Sequence, residues 1–192
     1  MKDQLIEEER LDRYLTFIKE TELLKNVLRT AWGSTGRQES TAEHSWRLTL
    51  FAALMLGEYP GLDGKKVLLM CLIHDLGELY DGDISAALLP DEEKKHAEEQ
   101  RSVERLFSFL PDQDREHFME IWKEYNENSS SEAHLVKALD KAETILQHNQ
   151  GINPPDFDYK FNLQYGAAYF REDGLMAALR ARLDQETGKH IM

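Results

Sequence analysis

The stretch STAEHSWRLTLFAALML, residues 40–56, decides how the chain is read. Ser40 and Glu43 have the spacing of a capping box, in which each side chain satisfies a free backbone N–H at a helix start. The helix that follows is predicted to run to about Leu56. Along it His44, Leu48, Phe51 and Met55 recur at spacings of 4, 3 and 4, which places them on one face. That face is apolar apart from its histidine. A histidine on a core-facing stripe is either a satisfied core residue or a ligand, and the helix alone does not choose.

The flanks repeat the helical pattern. Upstream, residues 5–26 have spaced apolar positions at Leu11, Tyr14, Leu15, Ile18 and Leu23, with a break expected near Lys19–Thr21. Thr30 to Ser40, with Gly33 and Gly36, reads as a loop. Downstream, Pro60 and Gly61 make a turn. Residues 64–75 form the next predicted helix, where Val67, Met70 or Cys71, and His74 share a face, and Gly77 is expected to end it. The stretch 78–87 carries Asp81 and Asp83 around Gly82. Pro90 and Asp91 open a Glu/Lys-rich helix that is apolar at Val103, Leu106, Phe107 and Leu110; Pro111 breaks it, and 113–126 is helical again. Ser129 and Glu132 offer a second capping-box spacing, for a helix of about 130–148 with Leu135, Leu139 and Ala142 inward and Asp140 near the edge of that stripe. Pro154 and Pro155 mark a long loop at 149–163, and a last helix is expected over about 163–183. Strand signals, repeats and domain linkers are absent. The expectation is an all-α, single-domain fold over residues 1–192.

Composition sets limits. The 192 residues are 41% hydrophobic and 31% charged, values of a folded chain rather than a disordered one. No run of about 18 apolar residues suggests a membrane span, and the start MKDQLIEEERLDRY lacks the apolar core of a signal peptide, so a cytoplasmic location is expected. A net charge of −13 without a Lys/Arg stripe argues against nucleic acid as a partner. It leaves room for a small anion met by a local cation. Cys71 is the only cysteine, which excludes an internal disulfide and a thiolate-rich zinc site; its apolar neighbours suggest a packed thiol.

Three short pieces carry chemistry: Glu43-His44, His74-Asp75 and Asp140-Lys141. Imidazole and carboxylate donors suit first-row divalent ions. Two histidines and two carboxylates can surround one ion and leave positions for water and phosphate. Asp140 alone reads equally as a helix-edge acid paired to Lys137 or an arginine. No glycine-rich Walker pattern is present.

The segments RTAWGSTGRQESTAEHSWR (29–47), LIHDLGELYDGDIS (72–85) and VKALDKAE (136–143) resemble the HD-domain family of metal-dependent phosphohydrolases. The order His, His-Asp, Asp and the gaps of 30 and 65 residues agree with it. The resemblance covers about residues 10–150 and leaves 151–192 as a helical extension outside it. Within the family the chain is most similar to the 5'-deoxynucleotidase branch, on Arg29, Trp32, Glu78 and Gly82-Asp83.

The resemblance implies a helical HD fold and one divalent transition metal (Mn, Co, Zn, Fe or Ni) on His44, His74, Asp75 and Asp140. Glu78 would manage a proton. Arg29 would pair with phosphate, Trp32 would shape the pocket, and Asp83 would accept from a sugar hydroxyl. Arg37 and Arg47 are lesser phosphate candidates. A second ion is not expected, because His96 sits in the acidic, apparently exposed DEEKKHAEE and His117 and His134 are scattered. The substrate implied is a (deoxy)nucleoside 5'-monophosphate. A phosphodiester or pyrophosphate substrate would use the same ligands, and a metal-binding scaffold without turnover is the other class left open. A homodimer is expected by analogy; Leu175, Leu179 and Leu183 suit an intersubunit or an intrachain contact equally.

Overall fold

A computed structural model describes residues 2–84, 91–171 and 173–191, the side chains of 2–5 and 92 excepted. The chain is predominantly helical. Its helices are α1 (Lys2–Thr21), α2 (Thr41–Met55), α3 (Gly64–Ile73), α4 (Glu92–Phe107), α5 (Asp112–Glu127), α6 (Ser131–Gln150) and α7 (Gly174–Ile191). The core lies among α2, α3, α5 and α6, where Leu48, Met70, Cys71, Trp122 and Leu139 are almost fully buried. The expected stretch 78–87 is described only to Ile84, and Pro90 also lies outside the described residues.

The start of α2 follows the capping box. The Glu43 N–H donates to Ser40 Oγ at 3.3 Å, and the Ser40 N–H donates to Glu43 Oε2 at 2.9 Å. This fixes the register that turns His44 and Leu48 inward, both completely buried. Several expectations need correction. Residues 30–40 are a loop only at 33–37: on either side of that turn β1 (Leu28–Trp32) and β2 (Gln38–Ser40) pair antiparallel, Leu28 opposite Ser40 and Trp32 opposite Gln38. With so few residues and an irregular register, period-2 alternation is too short to see. In α1, Leu11, Leu15 and Ile18 face solvent, and Phe17 anchors the helix instead, edge-on to Phe118 at 5.9 Å.

Gly77 does not end α3. That helix stops at Ile73 with His74 as its cap, and Gly77 lies in a 3-10 turn, Leu76–Glu78. A Cβ at Gly77 would come within 2.7 Å of Glu99 Cβ, so the residue is small to let α4 approach. Finally, α6 is capped by Ser130, whose hydroxyl accepts from the Ala133 N–H at 3.1 Å, not by Ser129. Glu132 is drawn away by the Asp63 N–H and Lys66.

The last helix begins at 174 rather than 163. Before it run two 3-10 turns, Tyr159–Leu163 and Ala167–Phe170. Arg180 of α7 fastens them, donating to the carbonyls of Asn162 (2.7 Å) and Tyr165 (2.6 Å). Leu183 is buried and Leu179 packs against the core, so those two leucines serve the chain itself, whereas Leu175 is exposed.

Candidate metal centre and the cavity above it

Four elements deliver the candidate side chains to one place. His44 comes from the first turn of α2, His74 from the cap of α3, Asp75 from the turn just beyond, and Asp140 from the middle of α6. His44 Nε2 lies 3.2 Å from Asp140 Oδ1 and 3.8 Å from Asp75 Oδ2, and His74 Nε2 lies 3.1 Å from Asp75 Oδ2. Donors spaced around an ion at about 2.0–2.1 Å sit roughly 3.3 Å apart, the range seen here. Both Nε2 atoms are buried and make no hydrogen bond. Their other nitrogens are engaged: His74 Nδ1–H donates to the Cys71 carbonyl at 2.9 Å, and His44 Nδ1 bonds Glu143. Each ring is thereby held with Nε2 aimed at the acids, the arrangement that orients histidine ligands. Unpartnered buried imidazole nitrogens facing carboxylates fit a shared cation. The cluster of His44, His74 and Asp75 can coordinate one divalent metal.

Charge agrees with geometry. Burial and Arg29 push the His44 imidazolium towards losing its proton, yet Glu143 and Asp140 outweigh them and raise its pKa to about 9. A cation entering here would replace that proton. Burial opposes ionisation of Asp140, but Lys141 and His44 hold it well below the usual range. Its Oδ2 accepts from Lys141 Nζ and from the Tyr125 hydroxyl, each at 2.8 Å, which leaves Oδ1 facing His44. Asp75 is likewise held low, by His74 against burial.

A cavity of about 490 Å³ opens above these groups, lined by His74, Asp75 and Asp140 and by Arg29, Glu78 and Asp83. Arg29 donates to Thr144 Oγ1 at 2.9 Å and lies 3.9 Å from Asp75 and 3.7 Å from Glu39. Glu78 is buried below Thr41, whose hydroxyl donates to it at 3.3 Å; burial and the charges of Asp75 and Asp83 push its carboxyl well up. Trp32 does not line the cavity: its ring stands edge-on to Phe157 at 6.1 Å. Arg37 pairs with Glu43 on the surface, and Arg47 reaches Glu143 behind His44. His96 is at the cavity, stacked on Trp122 at 5.6 Å.

Several neighbours of the cluster are not marked by the sequence reading. Glu143 is three residues beyond Asp140, so the helical period could have pointed to it. Tyr125 carries no such signal. Phe161 and Tyr165 come from the region after 150 and close one wall, their rings 4.9 Å apart. Gly166 brings that wall in: its φ is +63°, and a Cβ there would meet Lys141 Cγ at 2.4 Å.

The profile of the HD domain matches residues 21–179. The human protein "5'-deoxynucleotidase HDDC2" is 33% identical over 138 residues, 71% of this chain and 67% of its own. A protein of the same name from Dictyostelium discoideum is 32% identical, over 80% of this chain and 86% of its own. The predicted metal-dependent phosphohydrolase from Magnetospirillum magnetotacticum MS-1 superposes with a TM-score of 0.81 at 28% identity, covering 95% of this chain and 94% of that one. Profile, relatives and the His/Asp cluster agree, and the chain belongs to the HD-domain family of metal-dependent phosphohydrolases.

Proposed function

We propose that this protein hydrolyses (deoxy)nucleoside 5'-monophosphates to nucleoside and phosphate, with one divalent transition-metal ion held by His44, His74, Asp75 and Asp140. The reading is carried by two unpartnered, buried imidazole nitrogens that converge with two carboxylates beneath a cavity lined by an arginine and a buried carboxyl, Glu78. The likeness to 5'-deoxynucleotidases supports the nucleotide. When bound, the ion supplies Lewis acidity, lowering the pKa of a water and offsetting charge on phosphoryl oxygens.

The chain's own groups do the rest. Arg29 is braced on three sides, so its remaining donors meet equatorial phosphoryl oxygens without reorganising. Burial and two nearby acids push the Glu78 carboxyl well above its ordinary range, a shift in the direction that suits a group donating to the leaving 5'-oxygen. Asp83, half-buried on the same wall, accepts from a sugar hydroxyl. Phe161 and Tyr165 offer apolar surface to the organic part of the substrate, and Trp32 stands behind Phe157, which packs edge-on against the cavity-lining His148 at 4.8 Å.

The test is phosphate release from deoxyribo- and ribonucleoside monophosphates, using protein purified without added metal, assayed for bound elements, then supplied with Mn, Co, Zn, Fe or Ni. Turnover of deoxynucleotides with the loaded protein is expected. Release only from diesters or polyphosphates would transfer the reading to those substrates. A metal-loaded protein that turns over none of them would be a binding module.

A further inference from the structure

We propose that Lys137 is a second phosphate-binding cation, which brackets the phosphoryl group together with Arg29. The proposal rests on the reading above, that a phosphoryl group sits against Asp140.

The helical period sets the stage. Lys137, Asp140, Lys141 and Thr144 follow the spacing i, i+3, i+4, i+7 on α6, and all four line the cavity. Thr144, one turn after Asp140, holds Arg29. Lys137 lies one turn before it. The two cations therefore flank the Asp140 carboxylate from opposite directions along the helix.

Charge pairing separates Lys137 from its neighbours. Of the other cavity cations, Arg29 has Asp75 and Glu39, Lys95 has Glu99 at 3.5 Å, and Lys141 has Asp140 at 2.8 Å. Lys137 makes no ion pair among the described residues. Its ammonium lies over the face of Tyr125, 4.1 Å from the ring centre. The same ring stands edge-on to His74 at 5.1 Å and donates its hydroxyl to Asp140 at 2.8 Å, so Lys137 is anchored beside the metal cluster without touching it. Burial and the charge of Lys141 outweigh the more distant Asp140, Asp75 and Glu99 and lower its pKa to about 8. An ammonium half-withdrawn from water and facing an open cavity is stabilised by an incoming anion. A dianionic phosphate monoester, met by the ion, Arg29 and Lys137, suits that charge better than a monoanionic diester.

The test uses the metal-loaded full chain and inorganic phosphate as probe, by calorimetry, with wild type, Lys137→Met and Lys137→Arg. A charge-assisted hydrogen bond contributes about 1.5–3 kcal/mol, so Lys137→Met should weaken phosphate binding on the order of ten- to a hundredfold. Lys137→Arg should restore most of it, and bound metal should stay the same in all three. With each nucleotide that is turned over, Lys137→Met should raise KM regardless of the base. The proposal is overturned if wild type has no affinity for phosphate, if Lys137→Met stays within twofold of wild type, or if its loss tracks loss of metal. Lys137-dependent phosphate binding without nucleotide turnover would sink the nucleotidase reading and leave this one standing.

Discussion

The His44 imidazole has a cluster of acids at each of its two nitrogens, and the clusters have opposite characters. On the Nε2 side stand His74, Asp75 and Asp140; on the Nδ1 side stand Glu143 and Glu39. With His44 counted in each, His74 and Asp75 on one side and Glu143 and Glu39 on the other make two triads of potential ligands drawn close together. On the Nδ1 side, guanidinium groups face the acids: Arg47 lies 3.3 Å from Glu143, and Arg29 lies 3.7 Å from Glu39. On the Nε2 side Arg29 also comes to 3.9 Å from Asp75, but two imidazole nitrogens have no hydrogen-bond partner, and Lys141 binds only the outward oxygen of Asp140. The donor types are nearly the same. What distinguishes the two sides is that one already contains its cations and the other is arranged around the place for one.

The largest test of that contrast is Asp140→Asn. The amide keeps a similar shape but removes a charge from the open side. Metal-ion catalysis supplies several kcal/mol, so kcat/KM should fall on the order of a thousandfold while the far-UV spectrum and oligomeric state are kept. A folded variant within tenfold of wild type would remove the Nε2 cluster from the chemistry. The closed side should matter less. Glu143 orients His44 rather than meeting an ion, and loss of such a partner costs about 10–100-fold in metal affinity or activity. Glu143→Gln, followed by metal titration, should fall in that range. If it cost as much as Asp140→Asn with the fold intact, the two sides would be equivalent and the contrast would be lost.

The open side was readable in the sequence and the closed side was not. His44, His74-Asp75 and Asp140 each sit where a helical stripe meets a short motif, so periodicity and resemblance both reached them. Glu143 acts through a histidine and Glu39 lies beside it, and only the fold shows which acid lies behind which ring. The helices were legible for the same reason, since α2 and α6 repeat apolar residues over many positions. The β1–β2 pair was not, with three to five residues per strand. The stretch from 159 to 170 escaped because its order comes from elsewhere: Arg180 grips its carbonyls, and its 3-10 turns have too few residues to show a period.

That stretch supports the open side from outside, which gives a smaller test. Gly166→Ala would place a methyl against Lys141 at a backbone angle that L-residues disfavour. Left-handed strain together with overpacking costs about 1–3 kcal/mol. At about 2–4 °C of Tm for each kcal/mol in a chain of this size, thermal melting resolves it. Because Lys141 holds Asp140, the same variant should also weaken metal binding. A variant that melts earlier yet binds metal as tightly as wild type would show that Lys141 is not needed to aim Asp140.

The smallest expected effect belongs to Glu39, at the far edge of the closed side. Burial and the neighbouring charge of Glu143 raise its pKa to about 7, although Arg29 opposes them. A carboxyl whose pKa is higher in the folded state than the ordinary value of about 4.3 binds its proton more tightly when folded. Its stabilising contribution is complete below that ordinary value and is lost as pH rises through about 7. Gln cannot ionise, so Glu39→Gln escapes the loss. The Tm difference between variant and wild type should therefore move in favour of the variant between about pH 5 and pH 8, by a few degrees at most. Activity should change less than in Glu143→Gln, because Glu39 reaches the ion neither directly nor through a hydrogen bond to His44. A Tm difference that stays flat across this range would mean that Arg29 keeps Glu39 ionised throughout, making the closed side a fully charged set of ion pairs.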